Sequence, residues 1–103
     1  MRTRNTHRHV RALLEETDNA YQILIDAGEN PNIDFAGYAC QTYFARLKRA
    51  LGHADITFHQ LEGVLRRVMQ EHHAVRAEGH GWADFMASVI TAEIANVSVS
   101  EPV

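Results

Sequence analysis

Residues 70–82 read QEHHAVRAEGHGW. His72, His73 and His80, with Glu71 and Glu78 beside them, are side chains of the types that hold zinc or nickel. Two ligands on one helix need i,i+3 or i,i+4 spacing to reach a common point. His72 and His73 are adjacent and diverge by about 100°. His72 continues the line of Leu61, Leu65 and Val68, and His73 falls on the polar side with Glu62 and Arg66. His80 follows in a glycine turn. The pattern therefore predicts helix-end chemistry, in which a protonated imidazole meets the negative pole of a helix dipole. His59 and Glu62 are three apart, but no second pair shares their helix. His7 and His9 face different ways. No specific metal and no cofactor is expected. Seven histidines still allow loose metal capture and pH-dependent association near about pH 6.

Other chemistry is missing at the level of motif. The chain contains no phosphate-binding glycine loop, no Cys-x-x-Cys and no HExxH. Its serines are Ser88, Ser98 and Ser100, none in a nucleophile elbow. Cys40 falls on an apolar helical face without a thiolate-stabilising neighbour, so it reads as a structural thiol. Glu15 and Glu16 are adjacent and diverge on a helix. Enzyme activity is not expected, and no catalytic residue is assigned.

The elements that would position these residues follow from apolar spacing. At 103 residues with 46% hydrophobic content, the chain is expected to form a single domain with a core of its own. Val10, Leu13, Leu14, Tyr21, Leu24 and Ile25 recur at helical spacing and predict a first helix near 6–27. A flexible basic segment is expected before it, at about 1–5. Gly28, Asn30, Pro31 and Asn32 break it. Ala36, Cys40, Tyr43, Phe44, Leu47 and Leu51 predict a second helix near 34–51, with Asp34 at its start and Gly52 just past its end. The third helix, near 57–78, has the clearest signals. Thr57 and Gln60 match a capping box, Ile56 and Leu61 match a hydrophobic staple, and Gly79 ends it. Trp82, Phe85, Met86, Val89, Ile90 and Ile94 predict a fourth helix near 82–96, with Asp84 in its first turn. A frayed tail follows over about 97–103, where valines alternate with serines. Short connections favour antiparallel neighbours, hence an all-α, up-down-up-down four-helix bundle.

Charge narrows the partners. Net charge is −3, which disfavours nucleic acid as a partner. A helix-turn-helix over the second and third helices would need a shorter connection. The distribution is uneven: Arg2, Arg4, Arg8 and Arg11 open the chain, and after Arg76 no Lys or Arg occurs while Glu78, Asp84, Glu93 and Glu101 follow. That asymmetry favours a meeting of the two ends, within one chain or between copies. Nine of the ten basic residues are Arg, a type suited to interfaces. The N-terminal segment carries no apolar stretch of signal length, and no membrane span is present, so a cytoplasmic protein is expected.

Two surfaces stand out. Tyr38, Gln41, Ala45 and Arg49 share one side of the second helix, away from Leu47 and Cys40, with Phe35 near that edge. Tyr and Arg around a small residue suit a protein interface. Arg4, His7, Arg8 and Arg11 form the alternative surface, suited to a small anion such as a nucleotide. The reading is a non-enzymatic protein–protein interaction module, a small adaptor or stand-alone inhibitor that forms a homodimer or higher homo-oligomer. An anion binder and a nucleic-acid-binding regulator are the alternatives. Compactness and arginine bias fit a bacterial or phage accessory protein.

Overall fold

The apolar stripes resolve into five helices in the computed structural model, which describes residues 2–29, 34–53, 55–79 and 81–97, and the side chains of all of these except 2–5 and 76. The helices are α1 (Arg2–Asp26), α2 (Phe35–Leu51), α3 (Phe58–Glu71), α4 (His73–Glu78) and α5 (Trp82–Ala95). No strand occurs among the described residues. None of the described helices is long and apolar enough to cross a membrane.

Pairwise contacts give the directions. Tyr21 meets Phe35 and Tyr38, and Glu16 meets Arg46, so α2 descends as α1 ascends. Asp34 meets Arg66, and Phe44 meets Phe58, so α3 ascends. His72 meets Phe85, and Arg67 meets Glu93, so α5 descends. α5 also packs along α1, which closes the ring of four helices, and His7 near the start of α1 meets Asp84 in the first turn of α5. Val10 and Leu14 from α1, Cys40 and Leu47 from α2, Leu61 and Leu65 from α3, and Met86 and Ile90 from α5 are buried at its centre.

Local chemistry sets most of the helix ends. The Thr57 hydroxyl accepts from the Gln60 amide at 3.1 Å, and the Gln60 side chain accepts from the Thr57 N–H at 2.9 Å, which forms the expected capping box. Ile56 and Leu61, the expected staple pair, are both buried. Asp34 caps α2 by accepting from the Gly37 N–H at 2.8 Å. Gly52 ends α2 in the left-handed region at φ 69°, and its N–H donates to the carbonyls of Arg49 and Lys48.

Four features differ from the sequence pattern. First, α1 is helical from Arg2, not from about residue 6 after a loose segment. Apolar periodicity begins only at Val10, but a nucleated helix extends outward at one hydrogen bond per added residue. Second, the helix expected over 57–78 breaks at His72, at φ −121° and ψ 30°. The His72 ring packs edge-on against Phe85 at 5.0 Å, and α4 then lies against α5 as a separate element. Third, α1 spans 25 residues against 14 in α3 and in α5, so its end lies apart from the core. Ile25 is 43% exposed there and Ile23 66%. The inner position between Leu14 and Tyr21 is taken by Thr17, whose hydroxyl donates to the Leu13 carbonyl at 2.7 Å. Fourth, Phe85 lies at the rim of the core, 40% exposed. α5 ends at Ala95 with Asn96 as its cap, close to the expected boundary. The serine-bearing positions 98–100 lie outside the described residues.

Asp34 also joins two helices. Its carboxylate accepts from Arg66 Nε at 2.9 Å and Nη2 at 3.0 Å. Those Arg66 bonds, helped by the Gly37 N–H and opposed by partial desolvation, hold its pKa below the ordinary carboxyl value. A lowered folded-state pKa gives stability that is complete above the unfolded value of about 3.9 and is lost as pH falls through the folded value. Asp34→Asn keeps a capping side chain and removes the charge. In urea melts at neutral pH the variant should be less stable by about 1 kcal/mol at most, because the pair is half-exposed and screened. Near about pH 2 the difference should vanish. A gap that persists in acid would show that the charge is not its origin.

Candidate partner-binding surface

α2 is two-faced because its small and apolar residues recur on one side. Ala36, Ala39, Cys40 and Leu47 are buried, whereas Gln41, Ala45 and Arg49 are exposed. The expected stripe is therefore present, with two changes. Phe35 does not belong to it: this residue is 7% exposed and stacks edge-on against Tyr21 at 5.7 Å and Trp82 at 6.0 Å. The first turn of α2 is covered by α1 and by the start of α5, which helical spacing within α2 does not reveal. Tyr38 is half-buried, with its ring 5.3 Å from that of Tyr21, so part of its surface already serves the fold. A kink at Tyr43, with φ −125° and ψ 23°, separates Gln41 from Ala45 along the stripe.

The lower half of α2 is strongly cationic. Arg46 is held by Glu16 through two hydrogen bonds of 2.9 and 3.0 Å, and its guanidinium lies 5.1 Å from the centre of the Tyr43 ring. Hydrogen bonding to Arg46 keeps the Glu16 carboxyl below its ordinary pKa. Burial and, next, the negative charge of Glu16 push the Tyr43 phenol up. Lys48 lies 5.0 Å from the centre of the Phe44 ring. Arg49 has no acidic partner among the described residues. It borders two grooves. One, about 390 Å³, runs between α1 and α2 over Ala12, Leu13 and Ala50. The other, about 470 Å³, is bordered by Ala45, Lys48, Gly52 and His53.

The alternative N-terminal set does not converge. His7 turns toward α5, with Nε2 at 3.1 Å from the Asp84 carbonyl oxygen and 3.3 Å from its carboxylate. Arg8 points outward and is exposed. Arg11 is half-buried, and its Nε is enclosed without a hydrogen-bond partner among the described residues. The side chain of Arg4 lies outside the described residues. Positions 7, 8 and 11 lie on one side of the helix, but His7 is engaged by Asp84, Arg8 extends into solvent and Arg11 is half-buried.

The histidine segment is a helix junction. His72 caps α3, and its N–H donates to the Val68 carbonyl. His73 is exposed, with Nδ1 3.4 Å from the Gln70 carbonyl oxygen. His80 lies outside the described residues. Among those described, no three His, Cys, Asp or Glu side chains gather where they could hold a metal. The Glu16–Arg46 and Asp34–Arg66 pairs went unread in the sequence, because each joins residues about thirty positions apart with no local signal. Comparison with protein families, curated proteins and solved structures finds no match.

Cys40 is fully buried, and burial pushes its thiol up to about 12. At pH 8 the folded protein should react with a disulfide reagent at least about a hundredfold more slowly than the urea-unfolded chain, because the thiolate is the nucleophile. Equal rates in the two states would show that the thiol is reachable in the folded protein.

Proposed function

We propose that this protein is a non-enzymatic protein–protein interaction module, a small cytoplasmic adaptor or stand-alone inhibitor that works by covering part of a larger protein. The observation that carries this reading is the outward stripe of Gln41, Ala45 and Arg49. The opposite face of α2 builds the core, while this face stays in solvent and ends on a cation without an acid among the described residues. An unpaired Arg beside a small residue, bordered by grooves on both sides, suits an anchor for a partner carboxylate. The engagement of His7 by Asp84 and the partial burial of Arg11 favour a macromolecular partner over a small anion, since a small anion needs several free donors together.

Photocrosslinking in cells tests this. A photoreactive residue at Gln41 should trap one defined partner, and the same residue at Gln70, an exposed position on α3, should not. Ala45→Glu and Arg49→Glu should each weaken that capture by about tenfold or more, with helicity unchanged. Indifference of the Gln41 crosslink to both substitutions would refute the assignment of this face. Tyr38 is a poor probe because its packing on Tyr21 makes truncation a stability change as well.

A further inference from the structure

We infer that two copies of this chain pair through the outer face of α1 in an antiparallel, twofold arrangement, so that the acidic end of each α1 seats on the basic α1–α2 groove of the other. The inference goes beyond the interaction reading: it names a second copy as a partner and seats it on α1 and the α1–α2 groove, which shares only Arg49 with the Gln41–Ala45–Arg49 face.

The charge order of α1 comes first. Arg2, Arg4, Arg8 and Arg11 lie in its N-terminal half, and Glu15, Glu16, Asp18 and Asp26 follow in the rest. No acid lies in its first turn and no base in its last. Positive charge therefore sits at the positive pole of the helix dipole and Asp26 at the negative pole, the unfavourable order at both ends. Inside the monomer α5 brings one acid, Asp84, to His7 near the basic end, but α2 brings none. α2 descends beside α1 and brings Arg46, Lys48 and Arg49 toward the same basic end. Of these, Arg46 is matched by Glu16. Arg8 and Arg49 have no acidic partner among the described residues, and Asp26 has no basic one.

The outer face of α1 is built so that a reversed copy meets these needs. Arg8, Ala12, Glu15, Asn19, Gln22 and Asp26 are all exposed. They recur alternately four and three residues apart, which keeps them on one line along a helix. A twofold axis at the level of Thr17 would set Arg8 against Asp26 of the second copy, Ala12 against its Gln22 and Glu15 against its Asn19. Each contact then occurs twice, as an isologous interface requires. The same pairing lays the positive pole of one α1 beside the negative pole of the other.

Ile23 gives the pairing an apolar anchor. Among the described residues it is the most exposed large hydrophobic one, at 66%. At about 100° per residue it lies at the edge of the stripe on the side of His9 and Glu16. In the antiparallel pair that edge faces the other copy's α1–α2 groove, whose floor includes Ala12, Leu13 and Ala50 and whose rim carries His9 and Arg49. The contact covers one helix face and one groove, less than the ~1,600 Å² of a standard stable interface. The dimer is accordingly weak, concentration-dependent and sensitive to salt.

Sedimentation velocity on the full chain, from micromolar to near-millimolar concentration, tests this. Wild type should show a monomer–dimer equilibrium that weakens with added salt. Arg8→Glu and Asp26→Arg should each weaken it by about tenfold, and the double variant Arg8→Glu/Asp26→Arg should regain most of the loss. Ile23→Ser should weaken it without changing helicity, because the side chain is exposed in the monomer. Ala45→Glu should leave it unchanged, so failure of the Gln41 crosslink and failure of the dimer are separate results. A monomer at every concentration would overturn the inference, as would association indifferent to Arg8, Asp26 and Ile23. Loss in both single variants without recovery in the double would overturn the antiparallel pairing.

Discussion

Exclusion of water from a single seam governs this molecule. Val10, Leu14, Leu61, Leu65, Met86 and Ile90 are buried there, and each comes from a helix too short or too polar to be stable alone. α2 contributes mainly small residues over its first turns, Ala36, Gly37, Ala39 and Cys40, before Leu47. Small residues let neighbouring backbones approach and leave the volume to be filled by the larger side chains of α1, α3 and α5. Once the seam closes, the outward direction of every other residue follows. Arg8 and Gln41 face solvent because Val10 and Cys40 do not.

The ionic contacts refine this arrangement. Asp34 with Arg66, Glu16 with Arg46, and Arg67 with Glu93 each join different helices. All are partly exposed, so each contributes modestly to stability. Their greater effect is on register. A guanidinium that meets a carboxylate with two hydrogen bonds accepts little sliding between helices. Pairing also decides which charges remain for other work. Arg46 and Arg66 are occupied, while Arg8 and Arg49 have no acidic partner among the described residues.

α1 is the element in which local and global demands conflict. Its buried face is well suited to the bundle, but its charges run against its own dipole, and its last turns carry isoleucines in solvent. Natural sequences tend to be consistent across such levels, and departures mark places with a second task. The unused face of α2 lies beside this helix, and the α1–α2 groove belongs to both. The two proposed recognition surfaces thus lie on one side of the bundle.

The sequence by itself determined the helical class, the Thr57 and Asp34 caps, the buried position of Cys40 and the outward stripe of Gln41, Ala45 and Arg49. All of these depend on spacing within one helix or on chemistry within four residues. The tertiary structure decided the rest. Phe35 left the proposed surface because Tyr21 and Trp82 cover it, and both come from other helices. The third helix broke at His72 because α4 packs on α5. Ile25, which helical spacing placed on the buried stripe, became a surface residue because α1 is longer than the helices that bury it. The direction of Arg46 toward Glu16, and the freedom of Arg49, depended on which helix lay alongside α2. Periodicity tells a side chain which face it is on, but only the neighbouring helix decides whether that face is covered.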